Sequence, residues 1–198
     1  MNPSMTLTVM VLFVLLPIWV VAGLADWLCH RLNDLPGTTG PKESLLHLLL
    51  LVEMGVLLLA VLLFEFRAIV LLVALLTFLL HEATTIWDLS YASARRRIPP
   101  LEQHIHSVLE MLPLAIILVG AALYPEAVLA LADRTDQPGQ FDLVLKEQPL
   151  PAFYVTTGLG VAGILAFLPY LEELWRAYRH RLLQNRALQA NRAFLLHQ

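Results

Sequence analysis

The chain has 198 residues, 58 % apolar and 15 % charged, with a formal charge of −3 and a mean hydropathy of +0.69. Soluble domains average roughly 45–50 % apolar and 25 % charged residues, so this composition excludes a disordered chain, a disulfide scaffold and a basic nucleic-acid binder; no nucleic-acid partner is expected. The single cysteine, Cys29, leaves no intrachain disulfide and no cysteine-based zinc site.

A membrane-crossing helix needs about 20 mostly apolar residues. Five such stretches predict an all-α polytopic membrane protein, with spans at about residues 7–25, 44–64, 67–88, 101–124 and 152–172. The first follows a leader, Met-Asn-Pro-Ser, that has no basic residue, and no small-x-small cleavage site follows Val21. It reads as a retained helix, not a signal peptide. The third is apolar only through Leu80, and His81, Glu82 and Asp88 occupy its last turns. The fourth begins polar, behind Pro99-Pro100, and carries Pro113. Residues 125–151 read as a polar, irregular cap. Residues 1–175 form the transmembrane unit. Residues 176–198 form a basic tail in which Leu182, Leu183, Leu188, Phe194 and Leu195 alternate with arginines, the pattern of a helix lying on a membrane surface.

Loop cations set the expected orientation. One side would hold Arg31, Lys42, Arg95, Arg96, Arg97 and five tail arginines, against Arg67, Arg134 and Lys146 on the other. This places the N-terminus outside and the C-terminus in the cytoplasm of a multi-pass inner-membrane protein. Trp27, Trp87 and Trp175 then fall at the cytoplasmic interface, where aromatic residues collect. The Arg95–Arg97 run reads as a topology determinant before a substrate site, and salt bridges from Arg31, Lys42 and these arginines to the acids near the interface are the bland alternative to an ion.

The ionisable residues carry the functional signal. Asp26 and His30 end the first span. Glu43, His47 and Glu53 enter the second, His81, Glu82 and Asp88 leave the third, and Glu102, His104, His106 and Glu110 enter the fourth. All belong to one leaflet. Glu53 lies about 14 Å into its span from Ser44, and Glu110 about 12 Å from Glu102. An unpaired charge at such depth costs several kcal/mol, so these groups must face one another or a common ion. Asp26 and His30 share a helix face, as do Glu43 and His47, and Glu102, His106 and Glu110 form one stripe. Glu53 is about 120° from His47 and faces a neighbour of the seam. Glu82 is about 100° from His81, and His104 points away from His106.

Mixed imidazoles and carboxylates from four facing helices are the donor set of a dinuclear metal centre. By depth, Glu53, His81, Glu82, His106 and Glu110, with His47 and His30, are the expected direct ligands. Asp26, Glu43, Asp88 and Glu102 are the expected hydrogen-bond partners of the imidazoles. Over about residues 26–110 this set resembles non-haem di-iron proteins built on four helices, including membrane-embedded oxidases and hydroxylases. The pairs here are Asp26-x-x-x-His30 and Glu43-x-x-x-His47, not the Glu-x-x-His of the soluble bundles. The His106-x-x-x-Glu110 step is similar to a hemerythrin-type step, and His104-x-His106 stands where membrane desaturases carry longer histidine boxes.

The resemblance implies two irons and an oxygen-dependent hydroxylation, desaturation or oxidation. It also implies a hydrophobic or lipid-like substrate entering from the membrane and a separate electron donor. Membrane lipids are the other expected partner. Two further readings stand beside it: a haem-b electron-transfer protein with axial histidines, and an intramembrane hydrolase in which histidines hold zinc and Glu82 or Glu110 activates water. A metal-free polar network moving protons also fits the residues. Tyr91 reads as an interfacial tyrosine before a relay, Cys29 as a reduced thiol before a ligand, and Thr84 and Thr85 as helix-carbonyl partners before ligand partners.

Overall fold

A computed structural model describes residues 2–133, 137–147 and 150–196. Arg134 of the orientation argument, the side chain of Phe194 and residues 197–198 of the tail lie outside what is described. Among the described residues the chain is all-helical, with no strand. Five helices are long and apolar enough to cross a membrane: Pro3–Leu32, Pro41–Leu63, Ala68–Ser93, Pro100–Leu123 and one that runs from Ala152.

Proline marks three of the starts. Pro3, Pro41 and Pro100 each occupy the first helical turn, where a missing N–H costs nothing. Asn2 completes the first start, its Oδ1 accepting the Met5 N–H at 2.8 Å. Inside the first helix Pro17 cannot donate to the preceding turn. The chain accommodates it with a π-helical segment at Val11–Leu15.

The helices outrun their apolar stretches at the polar end. The first continues past Ala25 to Leu32 because Asp26 and His30 turn inward and are buried. A short helix, Leu35–Thr38, and Gly40 at φ 70° then reverse the chain into the second span; only glycine adopts that conformation without strain. The fifth helix does not stop at the membrane boundary expected near residue 172. It runs unbroken from Ala152 to Leu196, since no glycine or proline follows Pro169 to break it.

Packing divides the bundle into two halves. At one end Leu7, Val11, Leu57, Val61, Val70, Leu71 and Ile116 form a continuous apolar core. Gly120 sits there against the Phe66 ring, so close that a Cβ would meet it at 2.2 Å. Leu76, Leu79, Ile164 and Leu168 are exposed, the outward apolar face that a lipid-spanning helix presents.

The segment after the fourth span holds a short helix, Pro125–Leu131, and a single antiparallel bridge between Phe64 and Leu145. It is thus more ordered than the irregular cap expected. Lys146 closes the second span: its N–H donates to Leu63 O at 2.8 Å and its Nζ to Val61 O at 2.9 Å. Those carbonyls have no partner within their own helix. Burial pushes the Lys146 pKa down to about 8, against the pull of Glu65.

Candidate metal centre

The opposite half of the bundle is polar inside. Asp26, His30, Glu43, His47, Asp88, Glu102 and Glu173 are all buried there. They come from all five long helices, not four. The rings of His30 and His47 stack at 4.4 Å with 9° between their planes. Glu173 of the fifth helix holds both, one oxygen to each: Oε2 lies 3.0 Å from His30 Nδ1 and Oε1 lies 3.0 Å from His47 Nδ1. An ionised carboxylate only accepts, so both Nδ1 atoms carry the proton. In the neutral imidazoles both Nε2 atoms then have a free lone pair, and in the imidazolium forms they carry a second proton.

Each Nε2 faces carboxylates. His30 Nε2 lies 3.3 Å from Asp26 Oδ1 and 3.4 Å from Glu102 Oε1. His47 Nε2 lies 3.4 Å from Asp88 Oδ2 and 4.0 Å from Glu43 Oε1. His106 Nε2 approaches Asp26 Oδ1 at 2.8 Å. These contacts are close without the direction of a hydrogen bond. His30 Nε2, His47 Nε2, Asp26 Oδ1 and Asp88 Oδ1 are buried and have no hydrogen-bond partner. Two donor atoms each about 2.1 Å from one ion stand about 3.0 Å apart at a right angle and about 3.4 Å apart at the tetrahedral angle. Two groups have their donor atoms mutually within 4.8 Å: Asp26, His30 and His106, and His30, Glu43 and His47.

The other oxygens of Asp26 and Glu102 are held from outside, while Arg96 shares the Oε1 atoms of Glu43 and Glu102 that face the imidazoles. Tyr170 Oη donates to Asp26 Oδ2 at 3.2 Å, and Asn33 Nδ2 donates to Glu102 Oε2 at 3.0 Å. Arg96 reaches in from the loop after the third span. Its Nη2 and Nε donate to the two oxygens of Glu43 at 2.6 and 3.4 Å, and Nη2 also donates to Glu102. Burial works against the Arg96 charge, but its hydrogen bonds to Glu102 and Glu43 outweigh it and raise its pKa. Of the Arg95–Arg97 run, Arg96 forms the salt bridge to the acids that the alternative reading allows, its side chain long enough to cross from the loop to the buried Glu43 and Glu102.

The structure sorts the candidates named from sequence. It gathers Asp26, His30, Glu43, His47, Asp88, Glu102 and His106. The carboxylates expected to stand behind the imidazoles are the ones beside their free nitrogens. Glu53 and His81 form a separate pair at 3.4 Å, with Thr84 Oγ1 donating to Glu53 at 2.8 Å. Glu82 neighbours Glu110. His104 is exposed. Helical rotation explains Glu53, Glu82 and His104, which lie off the shared faces; His81 and Glu110 share the faces of Asp88 and His106 but lie two turns and one turn deeper along their helices, so they miss the centre. Tyr91 has its ring between Lys42 and Arg95 and its hydroxyl on Thr39 O. Thr85 bonds the His81 carbonyl, whereas Thr84 has a side-chain partner. Cys29 is a free thiol, half-buried.

Glu173 and Tyr170 are not among the residues that the sequence pattern above singles out, although an acid at the polar end of an apolar run, the signal in the other spans, fits Glu172-Glu173 equally well. Glu172 itself turns outward to Trp27 Nε1 and Arg31, each at 3.0 Å.

A cavity of about 450 Å³ adjoins this cluster. Asp26, His47, Asp88 and His106 line one end, with Trp19, Val20, Leu50, Leu51 and Leu109 along the sides and His81 and Glu110 further in. No family model matches this chain, and no curated protein and no solved structure matches it.

Proposed function

We propose that this protein is a membrane metalloprotein whose buried histidine–carboxylate cluster holds two divalent ions, preferably iron, and oxidises a hydrophobic substrate. One observation carries the reading. Asp26, Glu43, Asp88, Glu102 and Glu173 meet Arg96 as the one guanidinium among the described residues of the cluster. With neutral imidazoles that leaves four uncompensated negative charges in a low-dielectric interior, which is untenable. Protonation of His30, His47 and His106 would cancel three of them; two divalent ions cancel all four. The free lone pairs of His30 and His47 supply the neutral donors that iron or zinc takes.

Asp26, His30, His106 and Glu102 would hold one ion; His47, Asp88 and Glu43 would hold the other. Glu173 fixes the tautomer and direction of both stacked imidazoles. A pair of irons would supply the redox chemistry of oxygen-dependent hydroxylation, desaturation or oxidation, with electrons from a separate donor. The cavity beside them suits an apolar molecule. Its exposed lining residues, Ile86, Leu89, Gln103 and Ser107, lie on the third and fourth spans, so a substrate would enter from the lipid between those helices. The haem alternative is disfavoured at the stacked pair. Face-to-face rings 4.4 Å apart leave no room for a macrocycle between them.

Metal analysis and an optical spectrum of detergent-purified protein test this. We expect two ions per chain, lost in Asp26→Ala and His30→Ala and kept in His104→Ala and His180→Ala. Helicity measured by circular dichroism shows that the variants fold. One equivalent of zinc without iron would move the reading to a hydrolase. Protein free of metal after growth with iron and zinc would overturn it.

A further inference from the structure

The cavity has a second polar end that the ion cluster does not use. His81 lines it from seven residues before Asp88, about 10 Å along the same helix. Behind it sits Glu53, 4 % exposed, on the second span. One Glu53 oxygen is held by Thr84. The other lies 3.4 Å from His81 Nδ1, and neither of those two facing atoms has a hydrogen-bond partner. A carboxylate beside Nδ1 keeps the proton on that nitrogen and leaves Nε2 an acceptor. Of the two nitrogens, Nε2 is the one left for the cavity. Glu110, also on the wall and beside Glu82, adds a further acceptor at this depth. Acceptors on the wall of an apolar cavity need a donor from whatever fills it.

We propose that His81, oriented by Glu53, binds a hydroxyl group, so that the occupant of the cavity is a lipophilic alcohol or phenol and not a plain hydrocarbon. This rests on reading the cavity as the substrate site of the ion cluster. His81 is the binding residue and Glu53 a positioning residue.

Trp19 lines the cavity and reports occupancy. The probes are a terminally brominated long-chain alcohol and its methyl ether, which quench tryptophan on contact, titrated into full-length protein in detergent. Quenching that disappears in Trp19→Phe belongs to the cavity. We expect the alcohol to bind about ten-fold more tightly than the ether, the value of one buried hydrogen bond. His81→Leu abolishes that preference without changing metal content. Glu53→Gln reduces it, because an amide can present either face to Nδ1, and serves where His81→Leu fails to fold. Equal binding of alcohol and ether by the unaltered protein, no quenching of Trp19 by either, or a preference that survives both substitutions would overturn the proposal. Metal content on the same samples separates the two readings: metal-free protein that still prefers the alcohol sinks the function proposed above and supports this one.

Discussion

Glu173→Gln isolates the arrangement at the centre of the cluster. The carboxylate offers two acceptor oxygens to two imidazole N–H groups, each at 3.0 Å. The isosteric amide has one acceptor and one donor. One ring then keeps its partner, while the other meets an N–H where it needs an oxygen. That ring relieves the clash by moving its proton from Nδ1 to Nε2, and its lone pair no longer faces the carboxylates. The substitution also removes one of the five carboxylate charges, which leaves three instead of four for the ions to balance. Loss of an orienting partner costs about 10–100-fold in metal affinity, which is about 1.4–2.7 kcal/mol. Competition with a coloured chelator, for ferrous and zinc ions in turn, measures this on detergent-purified protein. Glu172→Gln is the matched control. Its neighbouring carboxylate bonds Trp27 and Arg31 outside the cluster, and we expect affinity within about two-fold of the unaltered protein, less than any orienting partner is worth. Equal affinity in Glu173→Gln and Glu172→Gln would refute the assignment of Glu173 as the shared anchor of both histidines.

Two further outcomes concern the other half of the bundle. Gly120→Ala drives a methyl to 2.2 Å from the Phe66 ring and is expected to cost about 1–3 kcal/mol. It should appear as a lower thermal midpoint that Phe66→Leu in the same chain partly restores; an unchanged midpoint would show that the ring yields freely. Lys146 gives a pH dependence with a defined sign. Its folded pKa of about 8 lies below the ordinary 10.5, so between those values the unfolded chain binds a proton that the folded chain does not, and stability rises with pH across that window. Lys146→Met should flatten the rise in unfolding curves taken from about pH 8 to 10.5; a slope that persists would assign it to another group.

Much of this protein is readable from its residues. Apolar run length alone yields five spans, because lipid leaves a backbone no partner but its own helix. Helical rotation alone pairs Asp26 with His30 and Glu43 with His47, and sets Glu53, Glu82 and His104 apart from them, because one turn of 3.6 residues decides which side chains share a face. Depth misled where it was used to rank ligands. Depth is a coordinate along one helix, whereas contact depends on which face meets which neighbour. So Glu53 and His81, both deep, found each other and left the centre to Asp26, Asp88 and Glu102. The helix partners themselves were decided only in three dimensions. Nothing in the local pattern around Glu173 tells it from Glu172, yet one residue of rotation sends Glu173 to two buried histidines and Glu172 to Trp27 and Arg31. Arg96 is the same lesson for a loop. Its neighbours Arg95 and Arg97 stay exposed while its own side chain crosses to Glu43 and Glu102. A sequence states which charges a chain must accommodate; only the packing of its helices decides which of them meet.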